Sequence, residues 1–437
     1  MAGVAAAYHL AARHGLKNVV LVDERAPFTL TTDKGTAAYR NWFPGPGDTM
    51  VRFINRSIDL LETLAEASGD AFHLNRRGYV FLTAQPDHIP VLRRTAAEIS
   101  ALGAGPLREH LDSASYIPAP PEDWHDLPTG ADLVLDQNLI RHLFPFVSEE
   151  AVAMLHVRRA GFFDSMRLGG WLLDRARESG VQIRQDRVES VTVRGGQVQS
   201  IHFQSGDAIS AETFVIAAGP YLKQVAALLG VDVPVFNELH AKITFKDELG
   251  LAPPTVPLMI WDDPMRLPWT EAERAELAAN DETRWLLDEF PAGVHFRPKG
   301  DLLLGLWTYD IKPQEPVWPP TFEPHYAEVI LRGLSRMIPK LSAYFGQGRM
   351  AYVDGGYYCK TRENRPLIGP LPVAGAYVIG ALSGYGVMGS QAAAELLAAH
   401  VVSGPLPDYA PFFRLERYDD PEYQSLLASW DQRSGQL

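Results

Sequence analysis

A single cysteine, Cys359, is the whole thiol content of this 437-residue chain. That excludes an intrachain disulfide and a cysteine zinc site, and no metal centre is expected. Long apolar runs are missing too. None approaches the roughly 20 residues that a membrane-spanning helix needs, and the first residues lack the basic start and apolar segment of a signal peptide. A cytoplasmic protein with no membrane span is therefore expected. Positive charge is in deficit: 40 Lys and Arg against 53 Asp and Glu give a formal net charge of −13. No basic run offsets it, which argues against a nucleic-acid surface. Repeats and low-complexity tracts are absent. What remains is ordinary for a globular chain, 46% apolar and 21% charged, and its length calls for two domains or one large composite.

The most telling shortage is of glycine at the very start. Residues 1–24 place small and apolar residues at helical spacing, stop at Gly15, and enter the apolar run Val19–Val22 closed by Asp23 and Glu24. This is the pattern of the second half of a dinucleotide-binding βαβ unit. Such a unit opens with a buried strand running into G-x-G-x-x-G, and of those glycines Gly3 alone is present. Asp23 stands 20 residues after Gly3, where an acidic side chain accepts hydrogen bonds from the adenosine ribose. An amphipathic helix followed by an ordinary buried strand is the other reading. If the strand and first glycines are encoded just upstream, Met1 is an internal residue, and an in-frame extension of about 10–30 residues is expected there.

Further along, Thr31, Thr32, Asp33, Lys34, Gly35 and Thr36 form a polar loop that suits either a cofactor or a solvated surface. The stretch from Ala37 through Arg40 to Gly47 continues that loop. Asp48 or Thr49 then caps a helix whose apolar face is Met50, Val51, Ile54, Ile58, Leu61 and Leu64. A strand is expected at 77–83, a helix at 89–102, a loop at 117–128, and a helix from Ser165 to Ser179 ended by Gly180. The hairpin 188–203 turns at Gly195-Gly196, and the apolar strand 212–218 runs into Gly219-Pro220 and a helix at 221–229. From Val233 to about Tyr352 prolines and tryptophans increase, with strands expected at 239–246, 293–297 and 302–308 and an acidic helix at 270–280. A largely antiparallel sheet is the natural reading of this region. A strand at 376–380, the turn Ser383-Gly384-Tyr385-Gly386 and a long Ala-rich helix to His400 follow. Three strand-to-helix turns with glycine at the bend can converge if one domain is interrupted by another. The boundaries expected are 1–48, 150–232 and 353–410 for a nucleotide-binding domain, 49–149 and 233–352 for a substrate domain, and a tail at 411–437.

These pieces, in this order, resemble the glycine oxidase, sarcosine oxidase and D-amino-acid oxidase class of flavoproteins over nearly the whole chain. The matching segments are Gly3 to Asp23, Asp186 to Glu189, Ile216 to Pro220, Lys360 to Gly369 and Gly380 to Met388. The resemblance implies an α/β fold with a discontinuous Rossmann-like FAD-binding domain and an antiparallel-sheet substrate domain. It implies FAD, with Asp23 and Glu24 at the adenosine end, Val188 against the adenine through its backbone, and Gly219 against the dinucleotide. Gly384, Tyr385, Gly386, Val387 and Met388 would lie near the isoalloxazine, and Thr31, Thr32 and Lys34 beside the ring. The implied reaction is oxidation of the C–H bond next to an amine, hydride passing to flavin N5 and the imine hydrolysing. No dedicated base is required when the amine enters neutral, so the search is for cations that neutralise a carboxylate. Arg40, Lys242 and Arg297 are the candidates, each of which also reads as a structural cation. Tyr357 and Tyr385 either close the pocket or pack as buried aromatics.

Departures from monomeric sarcosine oxidase qualify the substrate. Met388 stands where the carboxylate-binding lysine is expected, Leu303 where the lysine that assists oxygen reduction is expected, and Gly356 where a cysteine carries FAD covalently. No histidine occupies the early loop that links the flavin in dimethylglycine dehydrogenases. Non-covalent FAD and a dehydrogenase rather than an oxidase follow, with a small amine or amino acid as substrate and the electron acceptor and oligomeric state open. A non-catalytic scaffold or partner subunit that has lost FAD is the alternative.

Overall fold

The computed structural model describes residues 1–347 and 351–430. The last residues of the expected tail, 431–437, lie outside them.

Helix Ala2–Tyr8 continues into a wider turn at His9–Arg13. Its side chains are small because it beds directly on two strands. A Cβ on Gly3 would stand 3.2 Å from Cβ of Ala217 and 3.6 Å from Cδ1 of Leu21. Strand Val20–Asp23 pairs in parallel with Gln182–Gln185. Strand Phe214–Ile216 pairs in parallel with Ala376–Gly380, which pairs antiparallel with Leu367–Pro370. The helix Gly386–Val401 packs between Ala2–Tyr8 and Thr49–Ser68. The hairpin Val188–Arg194 and Gln197–Phe203 extends to Ala208–Ser210 as a separate antiparallel sheet.

The largest element is a nine-stranded sheet. From one edge it runs Tyr352–Lys360, Phe236–Lys246, Leu302–Leu306, Val294–Lys299, Leu258–Trp261, Tyr79–Thr83, Ala153–Val157, Ala131–Val134 and Leu107–His110. Pairing is antiparallel except between Leu258–Trp261 and Tyr79–Thr83 and between the last two strands. The sheet draws on both 153–157 and 352–360, segments that the sequence pattern groups with the nucleotide-binding strands.

Side chains alternate across a strand, so register divides this sheet into two faces. Ile243, Phe245, Phe296 and Leu303 point into a core closed by helix Tyr326–Met337. Tyr79, Leu258 and Ile260 point the other way, into the core shared with the helices at 2–8, 49–68, 165–178 and 386–401. Lys242, His295, Arg297 and Tyr358 lie on this second face by the same register.

The expected helix at 49 begins as the apolar spacing indicates, with all six named apolar residues buried. Asp48 occupies the cap position without accepting a capping hydrogen bond. The stretch after Ala37 is not all loop, because Ala38–Arg40 pairs antiparallel with Ala160–Phe162. Leu303, placed by sequence at an oxygen-facing position, points into the far core with 1% exposure. The register turns Leu304 toward Arg297 instead.

Candidate functional site

Two strand-to-helix turns and the start of the first helix converge on one cleft. Met1 and Ala2 enter it from the first helix, Ala217, Gly219 and Pro220 from the turn after Phe214–Ile216, and Ile379 to Gly384 with Gly386 and Val387 from the turn into the long helix. The loop from Thr31 to Ala38 forms a further wall, and Tyr357, Tyr358 and Cys359 close it from the large sheet. Its cavity volume is about 130 Å³, within an open cleft of about 810 Å³ that includes solvent space. The sixteen-residue helix Gly386–Val401 starts at its wall. The first backbone N–H groups of that helix favour negative charge there.

Sequence-derived cofactor residues divide by position. Thr31, Thr32, Gly219, Gly384, Gly386 and Val387 line the cleft. Gly219 sits at φ +54° with open space where a Cβ would project, so a ligand backbone has room to approach. Gly3 acts one layer behind, as the helix-to-strand contact already described. Asp23 closes its strand and accepts from the Arg25 N–H at 3.0 Å, and burial raises its carboxyl pKa. Glu24 faces Arg25 and Arg187. Val188 opens the hairpin three residues beyond the strand that pairs with Asp23. These last three sit away from the cleft wall.

Met388 and Tyr385 face inward. The Met388 sulfur accepts from the Arg40 N–H at 3.3 Å and its carbonyl from Ser57 Oγ at 2.5 Å. Tyr385 donates its hydroxyl to the Asn364 carbonyl at 2.6 Å and packs edge-on against Phe43. Tyr357 lines the cleft, donates to the Val317 carbonyl at 3.2 Å and meets Trp318 edge-on.

The candidate cations differ in what they hold. Lys34 bridges Asp33 and Asp354 at 3.2 and 3.0 Å. Lys242 donates to the carbonyls of Asp33 and Gly35, and Arg297 to those of Thr36 and Pro298. Both therefore brace the backbone of the Thr31–Ala38 loop. Arg40 is different. Its guanidinium lies over the rings of Phe43 and Tyr79, 4.9 and 5.7 Å from their centroids, and its buried Nε has no hydrogen-bond partner among the described residues. Burial lowers its pKa, with the Tyr79 hydroxyl opposing.

Several residues beside these escape sequence reasoning. Tyr358 lines the cleft and stacks on His240 at 4.0 Å and 17°. Burial lowers the pKa of His240, against the raising effect of Glu238, and that of His295. Tyr79 lies within electrostatic range of Arg40 and Arg297. The alternation of His240 with Lys242 on one strand was visible in sequence, but nothing there linked it to Tyr79.

The site accepts a dinucleotide without a covalent bond. Burial pushes the Cys359 thiol up to about 12, leaving little thiolate at neutral pH. At Gly356 a Cβ would fall 3.1 Å from Cα of Thr31 and 3.0 Å from Cβ of Lys34, so a linking side chain would crowd the loop. Among the described residues, no helix is long and apolar enough to cross a membrane.

Comparison with known proteins agrees with this architecture. L-proline dehydrogenase from P. horikoshii has a similar fold, with TM-score 0.72 and 17% identity over 96% of this chain and 95% of that one. Glycine oxidase from Geobacillus kaustophilus gives 0.71 and 16%, over 95% and 96%. Iminodiacetate oxidase from Chelativorans sp. BNC1 gives 0.69 and 18%, over 94% and 96%. At such identities these likenesses show the fold. A family model described as FAD dependent oxidoreductase matches residues 1–400. With that match and a cleft built for a non-covalent dinucleotide, this chain belongs to the FAD-dependent oxidoreductase family of D-amino-acid oxidase type, and its cofactor is FAD.

Proposed function

We propose that this chain oxidises the C–H bond next to the amine of an amino acid or N-methyl amino acid. The observation that carries the reading is Arg40, a buried guanidinium with an unpartnered Nε at the end of the strand whose Ala38 lines the cleft. A carboxylate is the complement such a group needs, and an arginine fork takes it bidentately. Bound FAD supplies the hydride acceptor at N5, and water hydrolyses the resulting imine. Tyr79 stands beside Arg40 and can orient the carboxylate. Neutral His240 and His295 add no competing positive charge near an amine. Arg297 and Lys242 keep the loop in place.

The division into an FAD domain at 1–48, 150–232 and 353–410 and a substrate domain at 49–149 and 233–352 belongs to the same proposal. Dehydrogenase rather than oxidase activity is proposed because the strand Leu302–Leu306 offers only leucine and glycine. A scaffold that cannot bind FAD is disfavoured by the formed cleft. The test is anaerobic mixing of FAD-loaded protein with primary and N-methyl amino acids and their decarboxylated counterparts, following loss of the flavin band. Preference for carboxylate-bearing substrates is expected, and equal reduction by the decarboxylated amines would sink the Arg40 assignment. Peroxide formed in air at the rate seen with an artificial acceptor would remove the dehydrogenase preference.

A further inference from the structure

Lys242 is 7% exposed, on the face of the large sheet turned toward the cleft. Its Nζ donates to the Asp33 carbonyl at 2.6 Å and to the Gly35 carbonyl at 3.4 Å. Among the described residues it makes no ion pair. The charged groups facing it are Asp33 and Lys34 from the loop, Asp354 from Tyr352–Lys360 and Lys299 from Val294–Lys299. Lys34 contacts both aspartates directly, so they act on Lys242 only through space, and its hydrogen bonds go to backbone oxygens. Those oxygens belong to the loop that forms one wall of the cleft, with Thr32 and Gly35 on either side of Asp33 lining it.

We propose that Lys242 is a positioning residue for FAD: its ammonium pins the turn from Asp33 to Gly35, and the loop keeps its cofactor-binding shape while Lys242 is protonated. The proposal rests on the FAD assignment and adds a proton to it. Hydrogen bonds from an ammonium are roughly twice as strong as neutral ones, so losing the proton loosens the turn although N–H groups remain. Lys34 cannot take over, because its ammonium is engaged by carboxylates. Burial pushes the Lys242 pKa down to about 8, which puts the change within an accessible pH range.

The experiment titrates apoprotein with FAD, read by flavin fluorescence, from pH 7 to 9 for wild type, Lys242→Met and Lys242→Arg. Wild-type Kd is expected to rise about fivefold across this range, the change for a group of pKa near 8 whose neutral form binds about tenfold more weakly. Lys242→Met should bind about tenfold more weakly at pH 7 and show a flat profile. Lys242→Arg, always charged, should bind well at pH 7 and stay flat to pH 9. Equal affinity of wild type and Lys242→Met at pH 7, or the wild-type slope surviving in either variant, overturns the proposal and leaves the FAD assignment standing. If wild type takes up no FAD at pH 7, the assignment falls and the latch with it. Should Lys242→Met not fold, wild type and Lys242→Arg decide the question through their slopes.

Discussion

A Cβ added to Gly384 would fall 2.7 Å from Cε2 of Tyr358, although Tyr358 belongs to the large sheet and Gly384 to the turn Ser383–Tyr385 that leads into the long helix. The Tyr358 ring is held on its other flank by stacking on His240 at 4.0 Å. Yielding to a new Cβ would disturb that stack. Gly384→Ala is therefore expected to displace Tyr358 at the cleft wall, with an overpacking strain of about 1–3 kcal/mol. Steady-state kinetics should show kcat/KM falling at least about tenfold, and Tyr358→Ala combined with Gly384→Ala should recover part of the strain in thermal stability. An unchanged melting temperature and rate for the single variant would show that the ring moves freely.

Arg40 and Arg297 should separate when mutated. Arg40→Met removes the guanidinium with its open Nε, and losing a charged hydrogen bond of about 1.5–3 kcal/mol lowers kcat/KM for an amino acid by about 10–150-fold. FAD affinity should change little. Arg297→Met removes the brace on the Thr36 carbonyl, so its first effect should be weaker FAD binding. Measuring both quantities for both variants checks the assignment; an Arg40→Met enzyme with unaltered kcat/KM would return Arg40 to a structural role.

Glu363 anchors residues 410–429 to the body of the protein. Its Oε1 accepts from Arg417 Nε and Nη2 and from the hydroxyls of Tyr418 and Tyr423, all between 2.7 and 3.1 Å. The pair is almost wholly buried, with 2% and 1% side-chain exposure. Removing the carboxylate strands a buried guanidinium, so Glu363→Ala should destabilise by about 3–5 kcal/mol, seen as a lower urea midpoint. Glu363→Gln keeps an acceptor and should lose less.

Much of the nucleotide-binding side was legible because its signals are local. Gly180 ended one helix as its position indicated, and Asp164, whose carboxylate accepts from the N–H groups of Met166 and Arg167, starts it. The large sheet was harder. Ala153–Val157 and Leu258–Trp261 are buried at every position, so they show no alternation from which to read a strand. Helix Tyr326–Met337 was missed although its apolar residues keep helical spacing: it lies in a stretch read as antiparallel sheet, and it carries Gly333, whose missing Cβ makes room for Trp307. The roles of Lys242 and Arg297 had no sequence signal at all. Their partners are backbone carbonyls more than 200 positions away, and a carbonyl has no residue type to read.

His156 makes the stability depend on acid. Its Nε2 lies 2.9 Å from the Arg77 carbonyl, which can only accept, so the ring hydrogen is on Nε2. Nδ1 then serves as acceptor for the Tyr116 hydroxyl at 2.8 Å and Arg158 Nη1 at 3.0 Å. Protonation would set an N–H against both donors. Burial, with the nearby Arg158 charge, accordingly pushes the His156 pKa down to about 3. An unfolded histidine takes up its proton near pH 6.5, so between about pH 6.5 and 3 the unfolded state binds more protons. Stability is present in full above that window and is lost as pH falls through it. At pH 5 the loss from this group alone is about 2 kcal/mol. Gln can supply both the N–H and the acceptor without titrating. Urea unfolding of the apoprotein at pH 7.5 and 5 should therefore show wild type losing about 2 kcal/mol more than His156→Gln, and equal losses would mean that His156 is already charged or exposed in the folded protein.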